Sequence, residues 1–182
     1  MSTIHPNPVA IMVVGSGQEA LLRGPNGPIE LAARRLARAL ALPHRPISDP
    51  LSPDRELQQL QSSGEGWLAS LPLDPGQALP DGSTWAEALG AWCQPTLVTL
   101  GAQQLSSGAA ASSTALLRQW RVPLLGLVQW GGTWKSDLRR RDGLPWLGRL
   151  EDGAAGEGND ATSELVGLLQ QRWTLLDLPV PS

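Results

Sequence analysis

Apolar residues in this chain fall into short unbroken blocks, and the segments between the blocks carry apolar positions at helical spacing. Residues 9–14, Val-Ala-Ile-Met-Val-Val, form the first block, between Pro8 and Gly15. A strand without polar alternation is one covered on both faces, which favours a parallel sheet. Pro28 then opens a helix at the position where its missing N–H costs nothing. Ile29, Ala32, Ala33, Leu36, Ala37 and Leu40 share one stripe of it, Arg34, Arg35 and Arg38 lie elsewhere, and Pro43 ends it. Residues 52–61 begin with Ser, Pro and early acids, so a short helix is expected there. Residues 67–73 read as a strand ending at Asp74-Pro75-Gly76. Thr84 and Glu87 have capping-box spacing and predict a helix over 84–92.

The second half keeps the rhythm. Strands are expected at 95–100, 123–130 and 144–150, with helices at 106–120 and 133–141 and a closing amphipathic helix at 162–176. Leu165, Leu168, Leu169, Trp173 and Leu176 form the stripe of the last one. Strands alternating with helices predict a three-layer α/β sandwich on a mostly parallel sheet, P-loop NTPase-like or Rossmann-like. Residues 1–182 read as one domain, with tails at 1–8 and 177–182 and a flexible Gly/Ala/acid loop at 151–161.

Composition narrows the chemistry. The 182 residues carry a formal charge of −3, and thirteen of the fourteen basic residues are Arg, Lys135 being the exception. That balance gives no reason to expect a nucleic-acid surface. Two His and one Cys cannot supply the roughly four N/S ligands of a structural zinc site, so no metal site is expected. Cys93, alone, forms no intrachain disulfide and reads as a small buried hydrophobe. No apolar stretch approaches the ~20 residues of a membrane helix. With no secretory signal at the N-terminus, the expected location is the cytoplasm. Eight Trp stand beside no Phe and no Tyr, so every large ring carries an N–H that wants an acceptor.

In an open α/β sheet, ligands bind beyond the carboxyl ends of the strands. Gly15-Ser16-Gly17-Gln18-Glu19-Ala20 follows the first strand and matches the relaxed dinucleotide pattern G-x-G-x-x-A. In that pattern, glycines let backbone amides approach a pyrophosphate. Asp49 stands where a ribose acid could follow. Against this reading, Gly24-Pro25 breaks the ensuing helix after two turns. No Walker A sequence exists. Gly131-Gly132-Thr133-Trp134-Lys135-Ser136 comes nearest but has Trp where the phosphate nest needs Gly. Lys135 and Ser136, at a helix start with Arg139 behind them, are the second candidate anion contact. The acid pairs Asp49 with Asp54, Asp74 with Asp81, and Glu151 with Asp152 read as turn and cap residues. His5 and His44 show no partner in the sequence, and no catalytic residue is assigned.

The stretch from the helix at 84–92 through Pro95-Thr-Leu-Val-Thr-Leu100, the small-residue helix beginning near Ser107, Pro123-Leu-Leu-Gly-Leu-Val128 and Leu144-Pro-Trp-Leu-Gly-Arg-Leu150 resembles the second half of dethiobiotin synthetase and its P-loop relatives. The resemblance covers about a third of the chain and implies their fold. Three of that family's chemical stations differ here. Gly15-Ser16-Gly17-Gln18-Glu19 stands for the P-loop Lys and Thr, Leu73-Asp74-Pro75-Gly76 for the Glu-Gly-x-Gly-Gly segment, and Gln129-Trp130 for the adenine-reading Asn. The expectation is a degenerate relative without ATP hydrolysis, acting as a binding or protein-interaction module. Its partner would be a protein or a small anionic ligand. The alternative is a phosphate- or dinucleotide-binding enzyme using Gly15, Ser16 and Gly17, with a nucleotide as the one cofactor left open.

Overall fold

A computed structural model describes residues 9–17, 27–151 and 159–176. Among these, six strands alternate with six α-helices. In chain order they are β1 (Ala10–Val14), α1 (Pro28–Ala39), β2 (His44–Pro46), α2 (Pro53–Gln61), β3 (Trp67–Ser70), α3 (Trp85–Ala91), β4 (Thr96–Gly101), α4 (Ala109–Gln119), β5 (Leu124–Trp130), α5 (Ser136–Arg141), β6 (Trp146–Leu150) and α6 (Asn159–Leu176). The strands make one sheet in the order β2-β3-β1-β4-β5-β6, and all five pairings are parallel.

The apolar blocks lie where two-sided burial puts them. Four of the five residues of β1 and all of β3 and β4 are buried. On one face Ile11, Val13, Leu97 and Val128 meet Ile29, Ala32, Ala33 and Leu36 of α1 and Leu165 and Leu169 of α6. On the other, Met12, Val14, Val98 and Leu100 meet Leu57 and Leu60 of α2, Trp85 and Leu89 of α3 and Leu117 of α4. The result is the expected three-layer sandwich with its core split by the sheet. From β1 the chain crosses to β2 over the α1 face. It returns through β3, β4 and β5 over the opposite face, so the major crossovers share one hand.

The structure adjusts several boundaries. β2 is absent from the sequence reading because it is three residues long and ends in Pro46, which an edge strand tolerates. β3 stops at Ser70 rather than 73. The helix expected at 106–120 starts later, as α4 from Ala109, and a separate 3-10 turn, Ala102–Ser106, precedes it. α5 starts at Ser136, not 133. α6 starts at Asn159, inside the stretch expected to be a loop. The tails at 1–8 and 177–182 and the helix after Gly17 lie outside the described residues. No described helix is long and apolar enough to cross a membrane.

Candidate functional site

Parallel pairing brings the ends of all six strands to one edge. After β1 the chain turns towards α1 on one face, and after β4 it turns towards α4 on the other. The crevice above the β1/β4 boundary is therefore the topological switch point, where ligands of such sheets bind. Gly15, Ser16 and Gly17 follow β1 and stand at this point.

The turn is already engaged. Asp74, in the loop after β3, accepts the Gly17 amide at Oδ2, 2.5 Å away, and the Gly76 amide at Oδ1, 2.8 Å away. Gln104, in the 3-10 turn after β4, accepts the Gly101 amide at Oε1 (3.1 Å) and donates from Nε2 to the Ser16 carbonyl. One carboxylate and one carboxamide thus tie the β1 turn to both neighbouring loops. A phosphate approaching the Gly17 amide would displace a carboxylate and meet its charge. The sequence reading took Asp74 as a local turn former, and it does cap Gly76. Its bond to Gly17 could not be read without knowing that β3 and β1 are neighbours.

Lys135 and Ser136 do not join this turn. β5, which leads to them, lies two strands from β1, roughly 10 Å away at the usual strand spacing. Both residues are exposed, and α5 is a six-residue helix with Asp137 in its first turn and no buried residue. The loop between β5 and α5 is organised from below. Buried Gln129 donates from Nε2 to the carbonyls of Gly131 (2.7 Å) and Thr133 (3.3 Å). Gly132, at φ +68°, is so close to the β4 loop that a Cβ there would lie 2.7 Å from the Ala102 Cβ. Trp134 packs edge-on against Trp146, centroids 6.1 Å apart, and the Arg139 guanidinium lies 4.6 Å from the Trp146 ring centroid. Gln129 spends its donor on its own loop, and its Oε1 is buried without a partner, as is the Thr99 hydroxyl.

The ribose-acid role considered for Asp49 fails on strand order. β2 is separated from β1 by β3, whereas the dinucleotide fold sets its first two strands side by side. Asp49 instead accepts the Ser52 hydroxyl at 2.7 Å and the Leu51 amide at 3.2 Å, and these bonds hold its carboxyl below the ordinary value. Asp81 is lowered in the same way by the Ser83 hydroxyl and amide. Asp54 lies in the first turn of α2, among the early acids that predict that helix, and accepts the Trp92 indole N–H at 2.7 Å. Cys93 is exposed rather than buried.

His44 has partners that its sequence position did not reveal. Its Nε2 lies 3.2 Å from the Ser70 hydroxyl and 3.6 Å from Glu30 Oε2. Ser70 itself donates to Glu30 Oε2. This Ser/His/Glu group is not a nucleophilic triad. A triad needs the hydroxyl to donate to imidazole and the carboxylate to hold the opposite ring nitrogen, whereas here one nitrogen faces both partners. Ser70 is also only 5% exposed, beyond the reach of a substrate. Among the described residues, no group of three or more His, Cys, Asp or Glu is arranged to hold a metal ion.

Neither protein-family models nor curated proteins provide a match to this chain.

Proposed function

We propose that this chain is a binding or protein-interaction module on a doubly wound α/β framework, a degenerate relative of the dethiobiotin synthetase type without ATP hydrolysis. The observation that carries the reading is the Asp74 carboxylate on the Gly17 amide, which fills with negative charge the place a phosphate would take. The Gln104 tether to Ser16 and the Gln129 bonds to its own loop support it, since each uses side-chain donors that a nucleotide would otherwise engage.

The test is a thermal-shift and calorimetric panel with ATP, GTP, NAD, NADP and coenzyme A, with and without Mg²⁺. The expected result is no change in Tm and no heat of binding. A rise of several degrees with any of them, lost in Gly17→Val while far-UV circular dichroism stays native, would establish the phosphate- or dinucleotide-binding alternative.

A further inference from the structure

Half of the basic residues of this chain lie in one stretch. Residues 101–150 hold seven of the fourteen Lys and Arg but only two of the seventeen Asp and Glu, Asp137 and Asp142. Four of the seven, Lys135, Arg139, Arg140 and Arg141, fall on α5 or at its start. α5 adds nothing to either core layer, since it has six residues and buries none of them. A helix of that length does not persist in water by its own propensity. It is held by its inner side, where the Arg139 guanidinium lies over the ring of Trp146 in the edge strand β6. There Asp142 accepts the Trp146 indole N–H at Oδ2, 2.8 Å away, and the Leu144 amide at Oδ1, 3.0 Å away. With both oxygens engaged, Asp142 stands 3.7 Å from Arg139 Nη1, and Arg139 Nε is buried without a hydrogen-bond partner. The positive charge of Arg139 is therefore only partly offset.

The outer side of α5 runs cation, apolar, cation. Lys135, Leu138 and Arg141 follow one another at the three-residue spacing of neighbours on a helix surface. All three are exposed, Leu138 to 49%. Among the described residues neither Lys135 nor Arg141 pairs with a carboxylate, whereas Arg140 is paired with Asp137. We propose that this stripe is a docking surface for an acidic segment of another protein, whose carboxylates pair with Lys135 and Arg141 and whose apolar side chain covers Leu138. The proposal rests on the reading of the chain as a protein-interaction module and gives that module its site. Charge complementarity selects the partner. Outside residues 101–150 the chain has fifteen acidic residues against seven basic ones, so an anionic segment is drawn to the α5 side and repelled by the rest. Leu138 separates a peptide from a nucleic acid, because a phosphate backbone has nothing with which to cover an exposed leucine.

The test selects binders from a displayed library of random peptides on the immobilised full chain and measures the enriched peptides, resynthesised, by fluorescence anisotropy. Enriched sequences should carry Asp or Glu on both sides of a large apolar residue. Their affinity should fall as salt is added and drop by about tenfold or more in the double variant Lys135→Glu/Arg141→Glu. Leu138→Ser should weaken binding several-fold with the salt dependence unchanged. Arg55→Glu, a charge reversal on α2 near the opposite edge of the sheet, should leave binding as it is. Unaltered circular dichroism and Tm would show that each variant is folded. No enrichment, enrichment of peptides without acids, or an equal loss in Arg55→Glu would overturn the proposal. So would a single-stranded oligodeoxythymidine that binds as tightly as the peptides and ignores Leu138→Ser. Self-association in sedimentation velocity that Lys135→Glu/Arg141→Glu abolishes would also overturn it, by making a second copy the occupant. A failed selection with the nucleotide panel still silent removes this surface alone, whereas a nucleotide that binds removes the module reading itself.

Discussion

Trp85 is fully buried, yet its indole N–H reaches the Pro50 carbonyl at 2.7 Å. Trp92 and Trp146 likewise end on Asp54 and Asp142. A chain whose large rings are all indoles must provide such acceptors, and this need is legible from composition alone. Which residue accepts is not, because Pro50 and Asp54 come from a different βα unit than the rings they serve. Trp85→Phe should therefore destabilise the protein by about 1–3 kcal/mol, from the smaller ring in a buried site and the partly buried Pro50 carbonyl left unpaired. Trp92→Phe, whose acceptor is an exposed carboxylate, should cost less. Urea unfolding with unchanged m-values would measure the difference. The same limit explains Asp74 and His44. Each was visible as a residue type, but their partners Gly17 and Ser70 lie 57 and 26 positions away and become neighbours only through strand order.

At the scale of elements, the signals that worked were local: the Pro at the first turn of α1 and of α2, the Thr84 hydroxyl accepting the Glu87 amide, the uninterrupted apolar block of β1 and the mostly apolar runs of β4 and β5. Those that failed depended on neighbours. β2 is defined by its pairing with β3, and the 3-10 turn before α4 is held by Gln104. Gly90 in α3 sets the two kinds of argument against each other. Intrinsic helix propensity alone makes Gly90→Ala stabilising by roughly 0.5–1 kcal/mol. In the fold, a Cβ at that position would lie 1.9 Å from the Trp120 carbonyl oxygen at the end of α4. The clash dominates, because backbone rather than a flexible side chain would have to move, and a loss of at least about 1–3 kcal/mol is expected. Thermal unfolding of the variant gives the sign directly.

For the molecule as a whole, the alternation of elements sufficed to read the three-layer class. The order β2-β3-β1-β4-β5-β6 was not legible, since apolar blocks of similar character do not state which strand they flank. The sheet divides the core into two independent layers, with Leu36 of α1 packed on one and Leu57 of α2 on the other. Leu36→Ala and Leu57→Ala should each cost about 2–5 kcal/mol. Separated by the sheet, they share no partner, and their combined cost should equal the sum within about 0.5 kcal/mol by denaturant titration. Coupling well beyond that would mean that the sheet transmits strain between the layers. β1 has a last consequence, for biosynthesis. It is synthesised before both of its neighbours, since it pairs with β3 and with Thr96–Val98 of β4. Until β4 has followed it out of the ribosome, this apolar strand has an open side. The nascent protein must therefore pass through a stage in which its future centre is its most aggregation-prone surface.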